Sequence, residues 1–350
     1  MWHFELIKSA RYLCLLFIST SIVISFSGSL NAQWSEKGAP VCTEIGFQVS
    51  QEGVADGCGG AFVVWTDYRN GSSNIDVYAQ RIDFNGYIMW DPAGVAVSCA
   101  PGEQSYPCIV RDGAGGVIIF WEDKRGSDYD IYAQRLDGGG NALWVENGIP
   151  ICTVASNQAG AFAIPDGHGG AIVAWKDYRD GIDGVYAQRV DSSGAFLWGE
   201  DGVAICTAAG SFERYGNVKL VPDGKGGAIV CWTDHRTGAF GRVYIRRVDA
   251  NGNVYWQENG VRVSSRETLQ DEFSIVPYKH GAIVAWIMGN DVRWDHYDIY
   301  IQRIDNSGTR LWGDEGVPIC VSSEWAARFP DLALCDSTGV MVVWHDFRKG

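Results

Sequence analysis

An all-β fold of repeated four-stranded sheets follows from three features of the sequence. Tryptophans recur at Trp65, Trp121, Trp175, Trp232, Trp286 and Trp344, 54 to 58 residues apart, and such a period marks a stacked array. Most of them close an apolar run such as Ala171 to Trp175; a run without polar alternation is buried only in a sheet covered on both faces. Gly-rich turns punctuate every copy, and helix signals are nearly absent. Sheets of four short strands packed face to face around an axis form a β-propeller. The chain is therefore expected to build six blades, the last of them incomplete.

The unit is clearest between Asp166 and Cys206. Asp166-Gly167 opens a turn into the apolar strand b, Ala171 to Trp175. A second turn from Asp177 to Gly184 leads into strand c, Val185 to Val190. Asp191 to Gly194 then turns into Ala195 to Trp198, and Gly202 to Cys206 finishes the copy. The segment ahead of Asp166 supplies strand a. Copy one has strand b at 61–65 and strand c at 77–82, and copy two runs through Trp121, Ile131 to Arg135 and Trp144 to Cys152. Copy four has Tyr244-Ile-Arg-Arg247 where its neighbours have Tyr-Ala-Gln-Arg. Copy five deviates most, replacing the common turn with a longer loop from Ile287 to His296. Copy six supplies Asp336 to Gly339, Trp344 and Arg348. The segment Trp34 to Thr43 has the pattern of a strand d without its own preceding strands, so it is expected to complete the last blade and leave no sheet edge open.

Residues 1–32 differ from the rest. Lys8 and Arg11 precede an apolar stretch from Tyr12 to about Leu30, closed by Asn31-Ala32-Gln33, the layout of a secretory signal peptide. Residues 33–350 are then one repeat domain, delivered to the periplasm, the cell surface or the medium, with no stable membrane insertion. Loss of Glu5, Lys8 and Arg11 removes a net +1, taking the formal charge from −14 to −15. So acidic a chain is a poor partner for nucleic acid. Nine cysteines remain after the leader. Five, Cys42, Cys99, Cys152, Cys206 and Cys320, share one repeat position, roughly 10 Å apart in adjacent sheets, too far for a bridge; buried thiols are expected.

The turn Trp-x-Asp-x-Arg recurs at Trp65, Trp121, Trp175, Trp232 and Trp344. Period-two geometry puts Trp, Asp and Arg on one face, and the Asp is expected to cap its turn and pair with the Arg. A site built of identical residues in five copies lacks the asymmetry that acid–base catalysis needs. The acidic loops at 123–130 and 177–183 lack the alternating oxygen ligands of a calcium loop, and no Cys or His spacing fits zinc. No cofactor or metal is expected. Recognition is expected where copies vary, at the residue between Asp and Arg: Tyr68, Lys124, Tyr178, His235 and Phe347, together with Arg293, Trp294, Asp295 and His296 of the long loop in copy five.

The order Pro165-Asp-Gly, apolar strand, Asp-x-Arg-x-Gly, Val-Tyr and Asp-x-x-Gly resembles the repeat of TolB-type β-propellers. The hairpins Asp83 to Trp90, Asp137 to Trp144, Asp191 to Trp198, Asp249 to Trp256 and Asp305 to Trp312 resemble in position the Asp-box hairpin of sialidase-like propellers. They lack its Ser or Thr two residues before Asp and its shorter step to the aromatic residue. The first resemblance implies protein interaction, so the leading expectation is a secreted, non-enzymatic binding or scaffold protein that recognises protein or carbohydrate through loops at one end of the ring. The alternative is a secreted glycan-processing hydrolase of sialidase-like type, which an asymmetric acid pair would favour. Its arginine triad and Tyr–Glu pair are not recognisable from spacing, and Arg328-Phe329-Pro330 only faintly resembles the Phe-Arg-Ile-Pro segment of that family.

Overall fold

The computed structural model describes residues 38–181, 183–208, 210, 218–238, 240–289, 297–321, 327–335 and 339–347. Residues 1–32, Arg293 to His296 and Arg348 lie outside them. Six antiparallel sheets succeed one another along the chain, each an up-and-down meander. The first holds β1 (Gln48–Ala55), β2 (Ala61–Asp67), β3 (Asp76–Ile82) and β4 (Val95–Ser98). The second holds β5 (Gln104–Arg111), β6 (Val117–Asp123), β7 (Asp130–Leu136) and β8 (Ile149–Cys152). The third holds β9 (Gln158–Pro165), β10 (Ala171–Asp177), β11 (Gly184–Val190) and β12 (Val203–Cys206). In the fourth, β13 (Val218–Pro222), β14 (Ala228–Asp234) and β15 (Arg242–Val248) are completed by the short β16 (Val254–Tyr255) and β17 (Val261–Arg262). The fifth holds β18 (Leu269–Tyr278), β19 (Gly281–Gly289), β20 (Tyr297–Ile304) and β21 (Val317–Cys320), and the sixth β22 (Ala327–Leu334) and β23 (Val340–Asp346). The only helical turn among the described residues is the 3-10 turn Arg179–Gly181. The fold is the all-β propeller class that the period of Trp implies, and its last sheet has two strands among the described residues.

Contacts divide the chain into two compact units. One comprises the described residues up to Val173 with Gln188–Gly202, the other Ala174–Ala187 with the described residues from Val203 onward. In the first, Trp121 is fully buried and packs on Phe62, Val64, Val77 and Ala79 of the preceding sheet. In the second, Trp286 packs likewise on Ile229, Cys231, Val243 and Ile245. Each of these Trp side chains therefore fills the space between its own blade and the one before. The glycine that opens the outer strand makes room for the ring: a methyl on Gly94 would lie 2.6 Å from Trp65, and one on Gly260 2.6 Å from Trp232. Both glycines also have positive φ, at 84° and 96°, which side chains disfavour.

The Asp of the repeated turn is saturated. Asp67 is fully buried; its Oδ2 accepts the Trp65 indole N–H at 2.7 Å, and its Oδ1 accepts the Arg69 backbone N–H at 2.8 Å and Nε at 2.9 Å. Arg69 also lies over the Tyr78 ring, 3.7 Å from its centroid. Asp123 and Asp234 repeat the pattern with their Trp and Arg partners, which bears out the expected cap and pair. In the fifth blade Met288 replaces the Asp, and the buried Trp286 Nε1 has no hydrogen-bond partner among the described residues.

Two further repeat residues tie the outer hairpin and the next blade. Gln80 donates to the Asp91 carbonyl at 2.6 Å and accepts the Trp90 N–H at 3.0 Å; Gln134 and Gln302 do the same. Where Arg246 replaces this Gln, the corresponding Trp256 has φ 75°. Arg81 binds Asp56 Oδ2 at 2.9 Å and reaches the Gly138 carbonyl of the following blade at 3.1 Å. The Trp90 indole donates to that same carbonyl at 3.2 Å. Arg135 and Trp144 repeat the reach onto the Ser192 carbonyl.

No disulfide forms among the described residues. Of the five repeat-position cysteines only Cys152 and Cys206 are buried, whereas Cys42 and Cys320 are half-buried and Cys99 is exposed. The expectation of a buried set is corrected to that extent, because the outer strand has solvent on its far side.

Replacing Trp121 by Ala empties a fully enclosed site between two sheets and is expected to cost about 3–5 kcal/mol. Urea unfolding of the variant checks this; a midpoint equal to that of the parent would remove Trp121 from the core.

Candidate functional site

Side chains alternate across a strand, so the residue between Trp and Asp points away from the repeated packing face. This position holds Thr66, Glu122, Lys176, Thr233, Ile287 and His345 in the six blades, the asymmetry that the repeated turn itself lacks. Sequence reasoning confined to the residue between Asp and Arg passes over it. A second source of asymmetry sits on the first strand of five blades. Ser50, Tyr106, Gly160, Glu272 and Phe329 all have positive φ, between 45° and 65°. The register shifts around four of them, between Val49 and Glu52, Ser105 and Cys108, Asp271 and Ser274, and Arg328 and Asp331. A bulge of this kind re-aims a side chain and is common beside active sites.

In the second blade these positions converge on a cluster. Tyr129, at the end of the β6–β7 turn, donates its phenol O–H to Glu103 Oε2 at 2.9 Å. Ser105 Oγ donates to Glu103 Oε1 at 2.8 Å. Lys124 Nζ lies 4.8 Å from the centroid of the Tyr129 ring. Glu122 Oε1 accepts the Gly160 N–H at 2.8 Å, tying β6 to the bulge of the next blade. Tyr106, at φ 50° in the bulge of β5, is 55% exposed. Burial, then the hydrogen bond to Glu103 and the charges of Glu103 and Glu122, push the Tyr129 phenol up to about 12. Tyr129 is thus a neutral donor at ordinary pH, already in contact with the base that would take its proton.

The same turn stores electrostatic strain. Asp130 pairs across the sheet with Asp123; burial, then the charges of Asp123 and Asp128, push it up to about 6 against the pull of Arg125. In the first blade the equivalent Asp76 receives amide N–H groups from Asn70 at 2.7 Å and Asn74 at 3.4 Å, a relief that the second blade lacks.

In the other unit the bulge residues pair with each other. Arg328 binds Glu272, whose Oε2 also accepts the Phe329 N–H at 3.1 Å. Ser274 Oγ donates to Asp331 at 2.9 Å. Phe329 meets the His345 ring edge-on at 5.3 Å, and His345 meets Phe347 at 6.3 Å. Arg328 is thus committed to an internal pair.

The residues that the sequence singles out are scattered. Tyr68 is half-buried and Lys124 exposed, with backbone N–H groups bonded to the carbonyls of Phe47 and Glu103. Only Lys124 joins the cluster around Tyr129. Tyr178 is half-buried, and His235 lies over Gly241, where a methyl would come within 3.4 Å of its Nε2. Phe347 is exposed. Arg293, Trp294, Asp295 and His296 lie outside the described residues. Among the described residues no group of three or more His, Cys, Asp or Glu is placed to hold a metal, and no helix is long and apolar enough to cross a membrane.

Neither a protein-family model nor a curated protein matches the sequence. Among solved structures, the chain resembles an ulvan lyase of polysaccharide lyase family PL25, at TM-score 0.54 and 10% identity over 85% of this chain and 76% of that one. It also resembles such a lyase bound to -[GlcA(1-4)Rha3S]-, at TM-score 0.52 with the same identity and coverage. A Dyadobacter fermentans protein of unknown function aligns over 87% of this chain and 92% of its own, at 12% identity and TM-score 0.45. At such identities the likeness concerns the fold. The expectation of a non-enzymatic binding or scaffold protein is corrected by this comparison, since the propellers at TM-scores above 0.5 are catalysts acting on polysaccharide. The expectation sought asymmetry for catalysis in the repeated Trp-x-Asp-x-Arg turn and varying residues only for recognition, and did not weigh the acidic and phenolic groups of the second blade.

The Asp130 carboxyl has a folded value near 6, above the 3.8 of an unperturbed Asp, so its contribution to stability is full below about 4 and is lost as pH rises through 6. Asp130→Asn is therefore expected to raise the melting temperature at pH 7.5 and leave it unchanged at pH 4; a lower melting temperature at pH 7.5 would contradict the assignment. The ultraviolet titration difference between the parent and Tyr129→Phe is expected to show one phenol ionising near 12, and Glu103→Gln should bring that phenol down.

Proposed function

We propose that the protein is a secreted glycan-processing enzyme that cleaves glycosidic linkages in a polysaccharide, with Tyr129 and Glu103 as its reacting pair. The observation that carries this reading is the 2.9 Å hydrogen bond from the Tyr129 phenol to Glu103 Oε2, in the one blade that also has Glu122, Lys124 and an exposed Tyr106 around it. Fold likeness to polysaccharide lyases supports the substrate class. The leader pattern at residues 1–32 supports export to where polysaccharides are met. The TolB-like order of the repeats accounts for the blades and carries no substrate information.

Tyr129 holds its proton until it reacts, and Glu103 stands within hydrogen-bond reach to accept it, the geometry required of a positioned base. Ser105 occupies the second oxygen of Glu103 and fixes the carboxylate orientation. Lys124 supplies positive charge beside the Tyr129 ring, where a phenolate or an anionic sugar substituent would form or bind. Tyr106 offers a ring face for sugar stacking, and Tyr68, at the matching turn of the preceding blade, is proposed as an outer contact. The phenol–carboxylate pair belongs to the sialidase-like alternative in kind, although it comes from one blade and has no arginine triad beside it.

Incubation with a panel of neutral and acidic polysaccharides, monitored by reducing ends together with absorbance at 232 nm, tests the proposal and separates hydrolysis from elimination. New chain ends are expected from at least one substrate. Tyr129→Phe and Glu103→Gln should each lower the rate by about a hundredfold or more without changing the melting temperature by more than a few degrees. Full activity in both variants would move the chemistry elsewhere.

A further inference from the structure

Tyr129 is held by two blades at once. Glu103 and Asn157 are each the residue immediately ahead of the first strand of a blade, before Gln104 of β5 and Gln158 of β9, and both reach the same tyrosine. Glu103 accepts its phenol O–H at 2.9 Å, whereas Asn157 Oδ1, 28 residues further along the chain, accepts its backbone N–H at 3.0 Å. The Gln158 backbone N–H donates to the Tyr129 carbonyl at 2.6 Å, so the peptide groups on both sides of Tyr129 are bonded to the third blade. Two more contacts fasten this junction: the Ser156 N–H to Asp128 Oδ2 at 3.4 Å and the Gly160 N–H to Glu122 Oε1 at 2.8 Å. The segment that makes them is itself braced. Gln158 is fully buried, and its Nε2 donates to the carbonyls of Val154 and Ser156 at 2.9 Å each, closing residues 154–158 into a tight loop with Ser156 at φ 93°.

The junction departs from the repeat in one respect. In the first blade the residue that matches Tyr129 is Ile75, whose N–H bonds to the Gly102 carbonyl at 3.1 Å, and the Gln104 N–H returns to the Ile75 carbonyl at 2.7 Å. In the fourth blade the Gln270 N–H returns likewise to Gly241 at 2.9 Å. The return bond from the buried Gln is thus framework, common to three junctions. The acceptor for the other peptide is not, because the first junction uses a main-chain carbonyl where the second uses the side chain of Asn157.

We propose that Asn157 is a positioning residue for the Tyr129–Glu103 pair, holding the Tyr129 main chain where the phenol meets the carboxylate. Tyr129 is half-buried, and one hydrogen bond open to competition from water does not fix a ring by itself. Bonding the peptides on both sides removes the remaining freedom before the phenol is engaged, and a reacting group displaced by about 1 Å can lose about a hundredfold in rate. Asn157 acts through Tyr129 and is not itself a reacting group. The catalytic part of this inference rests on the glycan-processing reading; the placement of the phenol does not.

Ultraviolet titration of Asn157→Ala and Asn157→Asp tests it, with Tyr129→Phe as the blank that isolates one phenol. Burial, then the hydrogen bond to Glu103 and the charges of Glu103 and Glu122, hold that phenol up at about 12 in the parent. Asn157→Ala removes the acceptor and is expected to bring it down toward the ordinary tyrosine value of about 10. Asn157→Asp keeps an acceptor oxygen in the same place and should leave the phenol at or above its parent value. On any polysaccharide that the parent cleaves, Asn157→Ala should lower kcat at least about tenfold with KM within about twofold, and Asn157→Asp should retain most of the rate. Asn157→Ser, whose oxygen lies one bond closer to the main chain, takes the place of Asn157→Ala if the latter melts well below the parent. An unmoved phenol in these truncated variants, or an Asn157→Asp variant as impaired as Asn157→Ala, would overturn the positioning role. A phenol that falls in Asn157→Ala while the parent cleaves no polysaccharide keeps the positioning and removes the enzymatic reading; cleavage by a parent whose phenol ignores Asn157 does the reverse.

Discussion

A carboxylate with no solvent access must have its charge and its lone pairs answered within a few ångströms, and the Asp of the Trp-x-Asp-x-Arg turn is answered on every side. Asp67, Asp123 and Asp234 each hold an indole N–H and a guanidinium. That one group fixes the rotamer of the Trp that fills the gap between blades and the path of the chain as it leaves strand b. Removing it would strand a buried guanidinium and an indole together, a more severe change than the loss of one contact. The fifth blade is the natural example of its absence: Met288 takes its place, and the Trp286 N–H has no hydrogen-bond partner among the described residues. The sheet survives because burial of Trp286 against Ile229, Cys231 and Ile245 continues, so the Asp specifies geometry more than it supplies cohesion.

Function in such an array depends on departures from the repeat. Positions answered by the framework have no valence left for a ligand, and the four copies of Asp and Arg in the first four blades are chemically silent for that reason. Two places escape it: the strand face turned away from the core Trp, and the positive-φ bulge of the first strand. In the second blade they hold Glu122 and Tyr106, beside the Tyr129–Glu103 hydrogen bond. In the sixth the same two places are filled by Phe329 and His345, which meet edge to face. The identical backbone device thus presents an exposed Tyr106 in one blade and packs Phe329 against His345 in another.

The framework was legible because burial on both sheet faces imposes an uninterrupted apolar run, and because a Trp every 54 to 58 residues has no other economical explanation. The Asp–Arg pairing was legible from period-two alternation alone. The cluster was not. Glu103 lies 26 residues from Tyr129 in the connection ahead of β5, a separation that no local sequence pattern joins. A comparison of the six residues between Trp and Asp would have exposed Glu122, Lys176 and His345 as unequal among otherwise matched copies.

The contacts between consecutive blades have a polarity with a bearing on how such chains change over time. Trp90 and Arg81 donate forward to the carbonyl of Gly138, Trp144 and Arg135 to that of Ser192, and Trp256 to that of Asn306. The accepting residues differ in every case because the accepting atom is always main chain. At these joints a module presents donors forward to a peptide carbonyl, so this part of the contact places no demand on the accepting side chain. Duplication or exchange of whole blades by recombination therefore meets little resistance at the joints, and a blade can drift in its exposed chemistry, as the second has done, while still fitting between its neighbours.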